Sequence, residues 1–385
     1  MHAQLSSARI KNNKIDQDLV PICIKSETMT NELVQRLIRP EVRALSAYHV
    51  QDSQGFIKLD AMENPHSLPE PLINDWLDTL RNLELNRYPD AGAEVLKKKV
   101  HGYLGLESEQ DILLGNGSDE LIQIVAMALA GSDRVLMAPE PGFVMYKIIA
   151  QSLGMKYVGV PLNSDDFSLD LPAMLAAIER HQPAVIFLAY PNNPTGNLFD
   201  RSSVEQIIEM SDGLVIIDEA YHSFAQQTWI GDLDRFENLL VMRTLSKIGL
   251  AGLRIGMLVG AKKWLDELNK IRLPYNINVL SQASATFMLE HTEVFDQQAS
   301  QIRAERQFMY DELGQYSEVR RWQSHANFLL IKTSLAQTLF DALRESNILI
   351  KNLNGSHEML AQCLRVTIGT EEENRAVLGV IRQVI

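Results

Sequence analysis

Residues 184–244 contain three short apolar runs, AVIFLAY (184–190), LVIIDEA (214–220) and LLVMRT (239–244). A helical pattern, SVEQIIEMS (203–211), lies between the first two runs. Continuous apolar runs of strand length that alternate with helices are typical of parallel strands covered on both faces. This stretch therefore predicts an α/β sandwich, with ligands bound near the carboxyl ends of the strands.

The same alternation extends in both directions along the chain. It includes the apolar runs DILLG (111–115), RVLMA (134–138), MKYVGV (155–160) and RIGMLVG (254–260). After about Pro274 the pattern changes to long helical segments followed by short strands, ANFLLIKT (326–333), ILIKNL (348–353) and CLRVTIG (363–369). We expect a central, mostly parallel sheet sandwiched by helices, plus a smaller α+β domain at the C-terminus.

The domain boundaries follow from these changes of pattern. We expect an N-terminal arm over residues 1–50, with residues 1–28 poorly ordered because they contain no strand series. The large domain is predicted over residues 51–287 and the small domain over residues 288–385. A length of 385 residues with 46% hydrophobic content suits two packed domains.

Charge and cysteine content exclude several classes of function. The net charge of −13, from 36 basic and 49 acidic residues, does not favour binding to nucleic acid or to an anionic membrane surface. The two cysteines, Cys23 and Cys363, lack metal-ligand spacing, so we expect neither zinc nor another metal, and they fit a reducing cytoplasm. No apolar stretch has the length of a signal peptide core or a membrane span. We expect a cytoplasmic protein that binds small molecules.

The segment RTLSKIGLAGLRIG (243–256) lies between two apolar strands and contains the strongest chemical signal. A lysine at a strand end, with a hydroxyl before it and small residues and an arginine after it, suits a Schiff-base lysine beside a phosphate pocket. Lys247 is that candidate. The alternative is a surface lysine in a glycine-rich loop.

Asp218 ends the apolar run VIID (215–218). A carboxylate there is either a helix cap or, in an enzyme that uses pyridoxal 5'-phosphate, the partner of the pyridine nitrogen. Tyr221 follows on the next turn and could hydrogen-bond the cofactor's ring oxygen. Asn193, in the turn YPNNPTG (190–196), could point its amide at the same oxygen, although such a turn also has a purely structural explanation.

Two further segments follow predicted strands. In GNGSDE (115–120) a glycine turn opens a helix, and the backbone N–H groups there could hold a phosphate; a simple cap by Ser118 is the alternative. Phe143, in EPGFVMY (140–146), could stack on the pyridine ring or belong to the ordinary core.

In this order, these segments resemble the fold type I pyridoxal 5'-phosphate enzymes, specifically the histidinol-phosphate aminotransferase family among the class II aminotransferases. The resemblance extends from about Arg43 to the C-terminus. Its motifs are DAMENP (60–65), NRYPD (86–90), GNGSDE, NNPTG, DEAY (218–221), TLSKIGLAGLRIG (244–256), PYNIN (274–278), HANF (325–328) and CLRVTIGT (363–370).

The resemblance implies roles residue by residue. Lys247 would be the Schiff-base lysine and proton carrier, with Asp218 on the ring nitrogen and Asn193 and Tyr221 on the ring oxygen. The cofactor phosphate would be bound by Ser118, Asp119, Ser246 and Arg254. Tyr88 would reach that phosphate from the neighbouring subunit, which implies a homodimer with shared active sites. The substrate's anionic end would be held by Arg365, with help from Tyr48, Asn64 and Lys351.

The implied reaction transfers an amino group from L-glutamate to imidazole acetol phosphate, giving L-histidinol phosphate and 2-oxoglutarate in histidine biosynthesis. One departure concerns Lys351, where relatives usually have arginine; lysine keeps the charge but lacks the bidentate fork. Two alternatives within the same fold therefore stay open, an aromatic amino acid aminotransferase and a threonine-phosphate decarboxylase. A non-catalytic binding module is the more distant alternative, and the complete set of Lys247, Asp218 and Arg254 argues against it.

Overall fold

The computed structural model describes residues 32–47, 51–107, 109–131 and 133–385. The chain divides into two compact units, Met1–His49 and Val50–Ile385. Within the first unit, residues 32–37 are helical and helix α1 spans Pro40–Arg43. Residues 1–28, which we expected to be poorly ordered, and Tyr48 lie outside the described residues.

The second unit contains the strands and the remaining helices. The strands are β1 Ile57–Leu59, β2 Gln110–Asn116, β3 Val135–Glu140, β4 Lys156–Pro161, β5 Val185–Ala189, β6 Leu214–Asp218, β7 Leu239–Thr244, β8 Ile255–Ala261, β9 Arg320–Arg321, β10 Phe328–Lys332, β11 Ile348–Asn352 and β12 Cys363–Thr367. The helices are α2 Glu70–Leu80, α3 Glu94–Leu104, α4 Ser118–Leu129, α5 Val144–Ser152, α6 Leu171–His181, α7 Arg201–Met210, α8 His222–Ala225, α9 Lys262–Asn269, α10 Val279–Met288, α11 Thr292–Leu313, α12 Ala336–Glu345 and α13 Glu371–Val384. Short 3₁₀ turns span Ile230–Asp232, Ala251–Leu253 and Glu358–Leu360, and a π-helical segment spans Ser246–Leu250.

In the described part of the chain, seven strands form the larger sheet in the order β2-β8-β7-β6-β5-β3-β4. Strands β5, β6 and β7 are buried along their whole length, as their continuous apolar sequences predict. Strand β8 pairs antiparallel with both β2 and β7, while the remaining pairs are parallel. The predicted α/β architecture with a mostly parallel sheet is therefore confirmed.

The direction of β8 determines which residues meet at one edge of this sheet. Because β8 is reversed, its first residue, Ile255, pairs with Asn116 at the end of β2, and Gly256 pairs with Thr244 at the end of β7. Arg254, just before β8, therefore lies at the same edge as the carboxyl ends of β2, β6 and β7. The segments that follow those strands converge there.

The second sheet has the order β1-β11-β12-β10-β9. Strand β1 pairs parallel with β11, and the other pairs are antiparallel. Helices α11, α12 and α13 contact its strands or one another, and share a buried apolar cluster with them. Since β1 comes from residues 57–59, this sheet draws an edge strand from outside residues 288–385, the range expected for the small domain.

No helix among the described residues has both the length and the apolar content needed to cross a membrane.

Candidate active site

A pocket lies at the edge of the larger sheet where β2, β5, β6 and β7 end and β8 begins. Nine residues expected around the cofactor line it: Ser118, Asp119, Phe143, Asn193, Asp218, Tyr221, Ser246, Lys247 and Arg254. Four more lining residues, Met62, Ala189, Ala220 and Thr244, did not stand out in the sequence. Segments separated by more than 130 positions thus contribute to one cavity.

Asp218 occupies the end of β6 and is 5% exposed. Its Oδ2 accepts a hydrogen bond of 2.6 Å from the Tyr146 hydroxyl, and its Oδ1 accepts one of 3.1 Å from Ala220 N. Burial raises the pKa of Asp218 to about 6, and these two hydrogen bonds act against that rise. A buried acid that faces a pocket is suited to pair with a protonated nitrogen of a ligand.

Lys247 follows β7, within the π-helical segment. Its Nζ donates to Ala61 O at 3.1 Å. Burial and the nearby positive charge of Arg365 lower the pKa of Lys247 to about 8, while Glu63 and Asp119 act in the opposite direction. The neutral, nucleophilic amine is therefore accessible much nearer to neutral pH than for an exposed lysine.

An anion-binding corner lies at the start of α4. Gly117 precedes this helix with φ +83°, and a Cβ placed on it would clash with Arg254 Nη2. Arg254 Nη1 donates to Ser246 Oγ at 3.5 Å, and its Nη2 lies 3.6 Å from Asp119 Oδ2. Thr244 Oγ1 accepts from Ser246 N at 3.1 Å, which orients that serine. A helix start, a guanidinium and a hydroxyl together suit a phosphate group.

A polar chain connects the pocket with the second sheet. Asn193 Nδ2 donates to the Tyr221 hydroxyl at 3.2 Å, and Asn193 Oδ1 accepts from Arg365 Nη1 at 2.6 Å. Arg365 Nη2 donates to Asp60 O at 2.8 Å. Burial raises the pKa of Tyr221, so its hydroxyl keeps its proton and can donate to an oxygen in the pocket.

Four residues expected in the site do not line the pocket: Arg365, which contacts it through Asn193, and Tyr88, Asn64 and Lys351. Tyr88 is 81% exposed and stacks on Tyr275, with ring centroids 4.5 Å apart. Asn64 Nδ2 donates to Ile248 O at 2.7 Å and to Gln298 Oε1 at 2.9 Å, which connects the 60–65 segment to the loop that carries Lys247. Lys351 lies directly opposite Arg365 in the β11–β12 pair, so both side chains are on the same face of the second sheet.

Sequence reasoning missed Tyr146 and Thr244, although both belong to segments that it had singled out. Each stands within three positions of a candidate residue. The partner of Tyr146, Asp218, is 72 positions away and is known only once the strands are assembled. The contact between Thr244 and Ser246 is local, but residue type and spacing gave no signal for it.

The pocket's donor set fits a cofactor that has a phosphate, a protonatable ring nitrogen and a carbon that an amine can attack. The anion corner requires glycine at position 117, because a side chain there would displace Arg254. The buried acid and the amine of Lys247 line the same cavity. Within the described residues, no cluster of His, Cys, Asp and Glu is arranged to hold a metal ion.

The chain matches the family Aminotransferase class I and II over residues 54–381. It is 52% identical over 356 residues to histidinol-phosphate aminotransferase 2 of Nitrosococcus oceani, covering 92% of this chain and 99% of that protein. It is 50% identical over 350 residues to histidinol-phosphate aminotransferase of Chromobacterium violaceum, covering 91% of this chain and 98% of that one.

Solved structures resemble the fold at low sequence identity. The histidinol-phosphate aminotransferase of Sinorhizobium meliloti, solved in complex with pyridoxal-5'-phosphate, superposes with a TM-score of 0.81 at 22% identity, over 91% of this chain and 98% of that one. The enzyme of the same name from Clostridium acetobutylicum gives a TM-score of 0.78 at 23% identity, over 85% of this chain and 98% of that one. At these identities the likeness concerns the fold alone.

Proposed function

This chain belongs to the class I and II aminotransferase family, and on that basis we propose that it makes L-histidinol phosphate in histidine biosynthesis. The amino group passes from L-glutamate to imidazole acetol phosphate, and 2-oxoglutarate is the second product. The observation that carries the proposal is the single pocket that holds Lys247, Asp218 and Arg254. The relatives at 50–52% identity, named histidinol-phosphate aminotransferases, support the choice of substrate.

The cofactor is pyridoxal 5'-phosphate, whose ring, when bound, absorbs the electrons released as a proton leaves the substrate's α-carbon. Asp218 would keep the ring nitrogen protonated through a charge-assisted hydrogen bond. Asn193 and Tyr221 would bind the ring oxygen, and Phe143 would pack on the ring. The phosphate would be held at the start of α4 by Ser118, the backbone N–H of Asp119, Ser246 and Arg254. The Asp119 carboxylate pairs with Arg254.

Lys247 has two tasks. Its Nζ would be the covalent attachment point of the cofactor at rest. When free, the same amine would take the proton from the donor's α-carbon and later return a proton to the reacting molecule, which requires its neutral form. Burial lowers the pKa of Lys247 to about 8, so that form is available near neutral pH.

Arg365 binds the anionic end of each substrate, a carboxylate of glutamate or the phosphate of the acceptor. Both groups present paired oxygens, which suit a guanidinium. Lys351, on the same face of the second sheet, adds a second positive charge without a bidentate fork. We assign Asn64 to the substrate site, as the family resemblance implies.

We further propose a cytoplasmic homodimer with shared active sites. Tyr88 is 81% exposed and does not line the pocket of its own chain, which fits a residue that acts in a neighbouring subunit. Two cysteines in 385 residues fit a reducing compartment.

A substrate panel on purified holoenzyme tests the reaction. We expect the catalytic efficiency with histidinol phosphate to exceed that with phenylalanine and tyrosine, because only the phosphate ester satisfies Arg365 and Lys351 together. A preference for the aromatic amino acids by about a hundredfold or more would overturn the substrate assignment. Release of carbon dioxide from threonine phosphate, without transamination, would identify a decarboxylase instead.

Mixed dimers test the shared site. Lys247→Ala and Tyr88→Ala are each expected to impair activity when pure. A dimer with one subunit of each kind has one site with both residues intact, so mixing after dissociation should restore activity. No recovery in demonstrated mixed dimers would contradict the sharing.

A further inference from the structure

Tyr146 lies on the first turn of α5 with its side chain 1% exposed. Its ring stacks on Phe187 of β5, with centroids 4.7 Å apart and an interplanar angle of 18°. Its hydroxyl donates to Asp218 Oδ2 at 2.6 Å. The position of this hydroxyl is therefore determined by core packing against the sheet, independently of any ligand.

Both carboxylate oxygens of Asp218 accept hydrogen bonds. Its second oxygen accepts from Ala220 N at 3.1 Å. The other titratable groups that face this carboxylate are Asp119 of α4, Lys247 and Tyr221. Burial raises the pKa of the Asp218 carboxyl, and the Tyr146 hydrogen bond opposes that rise more than any other group does.

Burial also raises the pKa of Tyr146 well above its ordinary value, so the phenol remains a donor through the neutral range. The same helix start provides a wall of the pocket, because Phe143 lines it and packs edge-on against Tyr146 at 5.4 Å and 85°. Displacement of either ring would disturb the other.

We propose that Tyr146 is a positioning residue of the reaction: its hydroxyl fixes the Asp218 carboxylate in one ionised orientation facing the cofactor's ring nitrogen. The inference rests on the proposed function and extends it to a residue that does not itself line the pocket. Tyr146 acts through Asp218, so its removal should affect the ring nitrogen's partner and leave the substrate arginine unchanged.

The test compares Tyr146→Phe with Tyr190→Phe in the holoenzyme. Tyr190 is a matched control, since it is also 1% exposed and its hydroxyl donates to Gln227 Oε1 at 2.9 Å. Its bond to Asp218 runs from Tyr190 N to Asp218 O in the backbone, at 2.8 Å, and phenylalanine keeps it. The readouts are the dissociation constant of pyridoxal 5'-phosphate from fluorescence titration of the cofactor-free protein, and kcat and KM as functions of pH.

For Tyr146→Phe we expect cofactor affinity and kcat to fall about tenfold to a hundredfold, the effect of losing a hydrogen bond to a charged group. KM for histidinol phosphate should stay within about threefold of wild type, since Arg365 is untouched. The acidic limb of kcat/KM should move upward by about one pH unit or more, because Asp218 loses a donor to its ionised form. Tyr190→Phe should change none of these.

Equal behaviour of the two variants in affinity and in the acidic limb would overturn the inference. If Tyr146→Phe fails to fold, 3-fluorotyrosine at position 146 keeps the ring and makes the phenol a stronger donor. The acidic limb should then move downward, and an unchanged limb would again overturn the inference. A wild-type protein that binds no pyridoxal 5'-phosphate would refute the proposed function itself, which separates the two failures.

Discussion

Burial is the main influence on the ionisation of the two central residues, Asp218 and Lys247. It raises the pKa of the acid to about 6 and lowers that of the amine to about 8. Among the residues that the structure describes, neither hydrogen-bonds to an oppositely charged group. Between these pH values both groups are charged inside the pocket. A cofactor with a protonated ring nitrogen and a carbon open to the amine would satisfy both.

Lys247→Ala should remove the visible absorbance of the bound cofactor and lower activity by about a thousandfold or more, since the attaching amine and the proton carrier are lost together. The fold should persist, because within the described part of the chain Nζ makes one hydrogen bond, to Ala61 O. Absorbance spectra, turnover and thermal melting measure these effects. Lys270→Ala is the control, since Lys270 is exposed and paired with Glu267. Turnover within about tenfold of wild type would remove Lys247 from its role.

At the scale of elements, the ends of neighbouring strands β6 and β7 are joined by a buried ion pair just behind the pocket. Glu219 is fully buried, and its Oε2 accepts from Arg243 Nε at 2.9 Å. Glu219 Oε1 accepts from Trp229 N at 2.5 Å. These residues adjoin Asp218 and Thr244, so the pair holds the two strand ends that carry the acid and lead to the lysine.

Glu219→Gln should lower the free energy of unfolding by about 3–5 kcal/mol, because the buried Arg243 guanidinium loses its counter-charge. Urea unfolding of the holoenzyme measures the change. Asp266→Asn, which breaks the exposed Lys262–Asp266 pair, should leave the midpoint unchanged. If Glu219→Gln lowered the free energy of unfolding no more than Asp266→Asn does, the ion pair would not stabilise these strand ends.

Gly117→Ala tests the anion corner before α4. Its φ of +83° and the clash between an added Cβ and Arg254 Nη2 predict a cofactor affinity about tenfold lower or worse, because Arg254 must move away from the phosphate. Gly105→Ala separates strain from contact, since Gly105 has φ +63° and a Cβ added to it would meet no other described residue within 4 Å. Gly105→Ala should lower the free energy of unfolding by about 1 kcal/mol and leave the affinity for the cofactor unchanged. Equal affinities for the two variants would contradict the assigned phosphate corner.

At the scale of the whole molecule, the pocket's buried charges reduce stability. The pKa of Asp218 is 3.8 ordinarily and about 6 in the fold. Below pH 3.8 this raised pKa does not change the free energy of unfolding. As pH rises past 6, it lowers that free energy by up to about 3 kcal/mol, because the fold then contains a buried charge. The depressed pKa of Lys247 has its cost below about pH 8, and that cost disappears as pH rises towards 10.5. At pH 7 both groups therefore lower the stability of the cofactor-free fold, while their charges suit the cofactor.

Asp218→Asn should therefore stabilise the cofactor-free protein at pH 8, by about 1–3 kcal/mol, while weakening the cofactor's binding. The advantage should shrink at pH 5, where the wild-type acid is mostly protonated. Urea unfolding at both pH values measures it, with exposed Asp212→Asn as a control that should show no such dependence. A wild-type protein that is the more stable one at pH 8 would contradict the cost assigned to Asp218.

Local sequence alone determined most strands, the larger sheet's class and the segments around the pocket. Each parallel strand buried on both faces requires a continuous apolar run, and a chain turn after such a run places its next residues at the carboxyl edge. Lys247, Asp218 and Asn193 could be picked out for that reason, and all three line the pocket.

Only the tertiary structure decided which distant residues meet. The apolar run of β8 is the same for either direction, so nothing local shows that it is antiparallel and carries Arg254 to the pocket. The partnership of Tyr146 with Asp218 joins residues 72 positions apart. Strand β1 likewise pairs with β11, although almost 300 residues separate them in the sequence. Apolar patterns report whether a side chain is buried, but hydrogen-bond partners and strand directions depend on how the whole chain packs.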